Sequence, residues 1–238
     1  MQVGIIIPAR NEAGAIGRVL AEIPRKRVGQ IIVIDNGSTD DTAAVAKANG
    51  AQVVFEPRPG YGRACLSGLA VLDRAMDTIV FLDGDCSDHP EDMEFLLKAL
   101  EEGRADLVIG SRTQKAKPGS LTLQQRLGNR LACWLMRRYF GVRYTDLGPF
   151  RAIRREALER LHMQDRAFGW TVEMQAKAAV RGLRIAEVPV RYRPRIGRSK
   201  ISGTLRGTIC AGWAILTTIL RVAAQPSAQH RVETCADS

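Results

Sequence analysis

Two acids separated by one glycine, Asp83-Gly84-Asp85, end the short apolar run Ile79–Leu82. A charge-free run of that length reads as a strand buried on both faces. Ser87, Asp88 and Pro90, with Glu91 and Asp92 behind them, read as a helix start. The two carboxylates therefore stand at the carboxyl end of a strand, the edge where open α/β sheets bind ligands. With only glycine between them, both can turn to one hard cation that prefers oxygen ligands. Mg²⁺ or Mn²⁺ suits two carboxylates plus phosphate oxygens, and such an ion can in turn hold a diphosphate. The plainer alternative is a strand-to-helix turn with solvated acids. His89 precedes a proline and reads as a helix-start residue rather than a ligand.

Other stretches offer complementary chemistry. Asp35-Asn36-Gly37-Ser38 can hydrogen-bond a base or ribose, or form a turn in which Thr39 or Asp40 caps the next helix. Arg58-Pro-Gly-Tyr-Gly-Arg63, which contains Gly62, resembles a phosphate-cradling loop before a helix. It has too few glycines for a dinucleotide fingerprint and lacks the Gly-Lys-Ser/Thr of a P-loop. Between Arg181 and Arg206 there are seven Arg and one Lys against a single acid, Glu187. Within that region Arg191–Lys200 is either a solvated surface or a clamp on an anion. Arg126, Asn129 and Arg130 form a second anion contact on a long amphipathic helix whose apolar positions include Leu123, Leu127, Leu131 and Leu135.

The elements that must position these groups follow in order. Strands are predicted at Val3–Ile7, Ile31–Ile34, Gln52–Phe55, Ile79–Leu82 and Leu107–Ile109. Helices follow the first four, at Ala13–Ile23, Thr42–Asn49, Ala64–Met76 and Asp92–Glu102. Alternation with short connections implies a mostly parallel central sheet with helices on both faces, an α/β class. The polar loops Pro8–Glu12, Asp35–Ser38, Gly60–Arg63 and Asp83–Asp85 then share one edge and one crevice. Past Thr113 the regularity stops. Gln114–Ser120 reads as a basic loop, Leu121–Phe140 as a helix and Thr145–Arg151 as a turn-rich loop. Arg154–Leu161 and Trp170–Arg181 read as helices, and Ile185–Tyr192 as a strand. Leu205–Ala224 is an apolar helix flanked by Arg206 and Arg221, and 225–238 a frayed tail.

Composition bounds the function. At 238 residues the chain is one large domain, or one domain with a small appendage. A net charge of +10 points to an anionic partner, and aromatic content of 5% disfavours single-strand nucleic-acid binding. The odd count of five cysteines, with no CxxC pair, implies a reducing compartment and no structural zinc. No signal peptide is read at the N-terminus. The longest charge-free apolar stretch, Gly207–Leu220, is fourteen residues, short of the roughly 20 that span a bilayer. The expected location is cytoplasmic, with the Leu205–Ala224 helix and the basic segment before it able to rest peripherally on an anionic membrane.

Together, Val3-Gly-Ile-Ile-Ile-Pro-Ala-Arg-Asn-Glu12, Val33-Ile-Asp-Asn-Gly-Ser-Thr-Asp40 and Phe81-Leu-Asp-Gly-Asp85 resemble the family 2 inverting glycosyltransferases of the GT-A fold, the nucleotide-diphospho-sugar transferase fold. Gly110-Ser-Arg112, Asn129-Arg-Leu131, Thr145–Arg151 and Gly197-Arg-Ser-Lys200 add similarity to the dolichyl- or polyprenyl-phosphate sugar synthases. The resemblance covers roughly residues 3 to 203. It implies a catalytic domain over 1–203, with a donor half at 1–112 and an acceptor half at 113–203. It further implies a nucleotide-sugar donor held by Pro8, Arg10, Glu12, Asp35, Asn36, Gly62, Asp83 and Gly84. The Mg²⁺ or Mn²⁺ would lie on Asp83 and Asp85. Ser111, Arg112, Arg126 and Arg130 would meet the phosphate of a polyprenyl-phosphate acceptor, and Arg198 and Lys200 would close over the site. The chain departs from the family pattern at Asn36, where Asp is usual, and at Ser87, where Gln often stands. A phosphate acceptor needs no general base. A hydroxyl acceptor needs one, and Asp146 and Glu173 are the candidates. A glycan or soluble hydroxyl acceptor is the competing activity, and a non-catalytic nucleotide-sugar-binding protein or a basic nucleic-acid-binding protein the competing class.

Overall fold

A computed structural model describes residues 1–197 and 205–224, the side chains of 205–211 excepted. Arg198, Lys200 and the tail at 225–238 lie outside the described residues. Strands β1 (Val3–Ala9), β2 (Val28–Asp35), β3 (Gln52–Phe55), β4 (Thr78–Phe81), β5 (Leu107–Ala116), β6 (Arg151–Arg154) and β7 (Ile185–Tyr192) form one sheet in the order β3-β2-β1-β4-β6-β5-β7. Strand β6 runs antiparallel to both neighbours, and the other pairings are parallel. The helices are α1 (Ala13–Ala21), α2 (Thr42–Ala48), α3 (Tyr61–Val71), α4 (Met93–Glu101), α5 (Leu123–Phe140), α6 (Arg155–Leu161), α7 (Trp170–Val180) and α8 (Leu205–Ala223).

The strands are apolar at successive positions because both faces are covered. Val3, Ile5, Ile7, Val80 and Leu82 pack with Ile16 and Leu20 of α1 and Leu96 and Leu97 of α4. Ile6, Ile32, Ile34, Ile79 and Phe81 face the opposite core, with Trp170, Met174 and Ile219 from α7 and α8. There Phe81 and Trp170 meet edge to face, centroids 5.9 Å apart.

Three elements of the second half differ from the sequence expectation. Residues 151–154, read as the end of a loop and the start of a helix, form β6, slotted between β4 and β5. Arginine at both ends hid it. Arg151 is fully buried and satisfied by carbonyls, donating to Thr171 O at 2.9 Å and to Gly148 O; burial pushes its guanidinium down to about 10. Strand β5 continues through the supposed loop to Ala116 because β7 supplies partners, Lys115 opposite Arg191 and Ala116 opposite Tyr192. Helix α5 starts at Leu123 rather than Leu121. Thr122 and Gln125 form a reciprocal capping box, and Gly141 ends the helix in the left-handed conformation.

Candidate active site

The carboxyl ends of β1 and β4 are adjacent, and the chain leaves them toward opposite sides, β1 being flanked by β2 and by β4. A crevice at such a point is where this architecture binds ligands. It is a cavity of about 380 Å³ lined by Pro8, Arg10, Glu12, Asn36, Tyr61, Asp83, Gly84, Asp85, Phe168 and Arg195, among others. The loops read from the sequence as convergent do converge here.

The acids in the crevice are strongly polarised. Asp83 accepts a hydrogen bond from the Tyr61 hydroxyl at 3.0 Å. Enclosure by protein, then the charge of Asp85, pushes the Asp83 carboxyl up to about 7. Asp85 accepts from the Ser87 amide at 2.9 Å and the Ser87 hydroxyl at 2.5 Å, so the residue standing where the family often has Gln orients this acid. The Arg195 guanidinium lies 3.2 Å from Asp85 and 3.2 Å from Glu12. Asp88 is buried with both carboxylate oxygens lacking a hydrogen-bond partner among the described residues. Burial and the charges of Asp83 and Asp85 push it well above the usual carboxylate range. Its orphaned oxygens and the raised Asp83 mark a site short of positive charge, which fits a divalent cation on Asp83 and Asp85. Among the described residues no three His, Cys, Asp or Glu side chains cluster closely enough to hold a metal by themselves, so the remaining ligands would come from donor phosphates and water.

Asp35 and Asn36 serve the site partly through the chain itself. Asp35 accepts from the Ser38 amide at 2.8 Å. The Asn36 amide donates to Glu56 O (3.0 Å) and Arg58 O (2.8 Å) and accepts from Gly60 N (2.9 Å), so it fastens the 56–60 loop along the cavity wall. The phosphate-cradle reading of Arg58–Arg63 is corrected. The first amides of α3 are already used, Gly62 N donating to Ala167 O at 3.1 Å and Arg63 N to Arg166 O at 3.2 Å. Gly62 is instead a point of close approach: a Cβ there would lie 2.1 Å from the Asp165 carbonyl oxygen. His89 begins a short helical turn, as read.

On the acceptor side, Asp146 is buried and fully engaged by Arg112, whose amide (2.8 Å), Nε (2.7 Å) and Nη2 (2.7 Å) all donate to it. Burial pushes the Asp146 carboxyl up, but the charge of Arg112 and the hydrogen bonds from Arg112 and the Leu147 amide together outweigh it and lower the carboxyl below the usual range. A carboxylate so held is a poor general base; it positions Arg112, which also stacks on Tyr192 at 5.1 Å. Ser111 shares hydrogen bonds with Thr113 and Thr145. Glu173 is buried, 2.8 Å from Lys177, and accepts from the amides of Gln164 and Asp165. It anchors the loop that carries Phe168, and the general-base reading of it is corrected. Arg126 and Arg130 are exposed on α5 and do not line the donor cavity.

The basic segment after β7 also takes a role the sequence left open. Arg191 pairs with Asp92 (2.6 Å), Arg193 with Glu22 (2.6 Å) and Arg195 with Glu12 and Asp85. Backbone bonds from Arg193 N to Ser87 O and Ile196 N to Asp85 O zip the segment onto the acidic loop. Tyr61, Phe168 and Arg195 are not among the residues expected from the sequence to form the site, while Ser87 is noted there only in a helix start and as a departure from the family pattern. Tyr61 carried a signal in the Arg58–Arg63 loop and Arg195 in the basic run.

The structure thus has a mixed seven-stranded α/β sheet with paired acids and an arginine around a crevice at its switch point. The family model for glycosyl transferase family 2 matches residues 4–162, and the chain belongs to that family. It is 41% identical over 210 residues to an uncharacterized glycosyltransferase of Mycobacterium tuberculosis, covering 88% of this chain and 94% of that protein. It is 35% identical over 228 residues to a dolichyl-phosphate hexose transferase of Haloferax volcanii, covering 92% of each. The crystal structure of glucosyl-3-phosphoglycerate synthase from M. tuberculosis, in complex with Mn²⁺, uridine diphosphate and phosphoglyceric acid, superposes with a TM-score of 0.77 at 26% identity, over 95% of this chain and 80% of that one. The fold is GT-A and the protein is a glycosyltransferase.

Proposed function

We propose that this enzyme moves a sugar from a nucleoside-diphosphate sugar to a polyprenyl (dolichyl-like) phosphate, with inversion at the anomeric carbon, at the cytoplasmic face of a membrane. The observation that carries the acceptor class is the near full-length similarity to the dolichyl-phosphate hexose transferase. Pro8, Arg10, Glu12, Asp35 and Asn36 would frame the nucleoside. Asp83 and Asp85 would hold Mg²⁺ or Mn²⁺, which when bound offsets charge on the leaving diphosphate. Tyr61 and Ser87 hold the two acids in place by the hydrogen bonds given above, and Phe168 lines the cavity. Arg195 supplies fixed positive charge beside Asp85, where charge develops as the sugar–phosphate bond breaks. Arg112, aimed by Asp146, would meet the acceptor phosphate with Ser111, Arg126 and Arg130. Arg198 and Lys200 are assigned to closing the site on the family resemblance. An acceptor phosphate is anionic at neutral pH, so its oxygen attacks the anomeric carbon without giving up a proton.

A second reading, transfer to a hydroxyl on a soluble phosphorylated acceptor, is favoured by the likeness to the phosphoglycerate-glucosylating structure. It requires a base that neither Asp146 nor Glu173 provides in the geometry above. The test is a panel of UDP-, GDP- and dTDP-sugars with Mn²⁺ or Mg²⁺ and a short polyprenyl phosphate, reading released nucleoside diphosphate, with Asp85→Ala as control. Release that needs both lipid phosphate and Asp85 supports the proposal. Release with phosphoglycerate-like acids but not with lipid phosphate replaces it by the second reading.

A further inference from the structure

The turn that carries the two acids is held in an unfavourable shape. Cys86, between Asp85 and Ser87, has φ 63°, in the left-handed region. That conformation suits glycine and is tolerated by asparagine. For a cysteine it costs free energy and persists only where neighbours enforce it. The neighbour here is Arg193, from the basic segment after β7. Arg193 is buried, and its Nε donates to Cys86 O at 2.6 Å and its Nη2 to Cys86 Sγ at 2.8 Å. Its amide donates to Ser87 O at 2.9 Å, so one residue grips both residues that follow Asp85. The guanidinium is fixed from behind by Glu22, at the end of α1, through Nη1 at 3.2 Å and Nη2 at 2.6 Å. Arg18 holds Glu22 in turn, at 2.8 Å.

We infer that Arg193 is a positioning residue for the metal acids: it clamps Cys86 in the left-handed conformation and so sets the direction of the Asp85 carboxylate. The inference rests on the reading of Asp83 and Asp85 as metal ligands for its purpose, while its evidence is the clasp itself. With Cys86 left-handed, the amide and hydroxyl of Ser87 both turn back to the Asp85 carboxylate, at 2.9 and 2.5 Å. Released from the clasp, the turn relaxes toward conformations that a cysteine prefers. The Ser87 amide then points elsewhere, and Asp85 loses its fixed direction beside Asp83. A lysine at 193 keeps the charge but not the fork that reaches Cys86 O, Cys86 Sγ and Glu22 together. Charge and position make opposite predictions. Were Arg193 to act only as a positive charge near Asp85, its removal would strengthen cation binding there. As a positioning residue, its removal weakens that binding.

The test compares the full chain with Arg193→Lys, Arg193→Gln and the double variant Cys86→Gly/Arg193→Lys. Mn²⁺ binding is read by electron paramagnetic resonance, with and without UDP. Hydrogen exchange of the amides of 84–88 is read without metal, and melting temperatures are recorded throughout. Both single variants are expected to bind Mn²⁺ about tenfold more weakly and to exchange faster over 84–88. Glycine takes the left-handed conformation unaided, so the double variant should recover most of the Mn²⁺ affinity although it lacks the clasp. Equal or tighter Mn²⁺ binding by Arg193→Gln overturns the inference and leaves Arg193 a charge only. A lowered melting temperature with unchanged Mn²⁺ affinity overturns it too, making Arg193 a packing residue. So does a double variant that binds no better than Arg193→Lys. If the wild-type chain binds no Mn²⁺, the metal reading falls and exchange decides the clasp: faster exchange in Arg193→Lys keeps it, and unchanged exchange removes it.

Discussion

The donor crevice and helix α5 are built on opposite plans. In the crevice, side chains are held by the surrounding protein: Asp83 by Tyr61, Asp85 by Ser87 and Arg195, and Asn36 by three backbone groups. On α5, Leu123, Leu127, Leu131, Trp134 and four arginines are exposed, while Leu135 and Met136 face the core. A nucleotide-sugar is small and polar, and a preformed polar cavity lowers the entropy it costs to orient. The contrast separates a preorganised crevice from a helix face whose apolar side chains and arginines are left at the surface.

Variants at the two ends can break that contrast. The largest effect is expected at the hinge between them. Asp146→Ala leaves the buried Arg112 without its partner, costing about 3–5 kcal/mol of stability. Denaturant unfolding checks this, and a loss under about 1 kcal/mol would show that Arg112 is not held as described. Next, Asp85→Ala should lower sugar transfer by roughly 10²–10³-fold, about 3–4 kcal/mol of transition-state stabilisation, with little change in melting temperature. Steady-state rates of nucleoside diphosphate release read it. Smaller again is Arg195→Ala. It removes a partly exposed ion pair worth up to about 1 kcal/mol, and it should tighten Mn²⁺ binding by removing the competing cation at Asp85. Calorimetry in which the variant binds Mn²⁺ more weakly than wild type would instead make Arg195 an organiser of the metal site.

The smallest effect concerns pH. The hydroxyl of Ser67, then Arg58, holds the Glu56 carboxyl down at about 2. A carboxyl lowered in the folded state contributes stability that is present above its unfolded value. That stability is lost as pH falls through the window from about 4.3 toward 2. Glu56→Gln should therefore be less stable than wild type at pH 7, and the gap between the two melting curves should narrow as pH falls toward 2. A gap that stays constant with pH would mean that Glu56 contributes through packing rather than charge.

Different parts of the molecule were legible to different degrees. The strands β1 to β4 could be read because buried parallel strands are uninterrupted apolar runs, and each ends in a polar loop. Those loops meet because parallel strands all point one way, so Asp83, Asp85, Glu12 and Asn36 could be grouped from connectivity alone. Strand β6 was unreadable, since a buried arginine at its start looks like a surface residue until Gly148 O and Thr171 O are seen to satisfy it. The segment after β7 was legible as basic but not as a strap, because its acid partners Glu22, Glu12, Asp85 and Asp92 are about a hundred or more positions away.

Sequence by itself determined the α/β class, the edge on which chemistry gathers, the paired acids and the family to which they belong. These are local properties, written in short runs and in the order of elements. Only the tertiary structure decided which charges are free and which are spent. It assigned Asp146 to Arg112, Glu173 to a loop anchor, the α3 amides to carbonyls of 166–167 and Arg195 to the acids of the crevice. It also turned Leu123, Leu127 and Leu131 of α5 outward and Leu135 inward. An amphipathic helix has a face that seeks cover, but its periodicity does not say whether the cover is the protein's own core, and that is settled by which neighbours the rest of the chain places beside it.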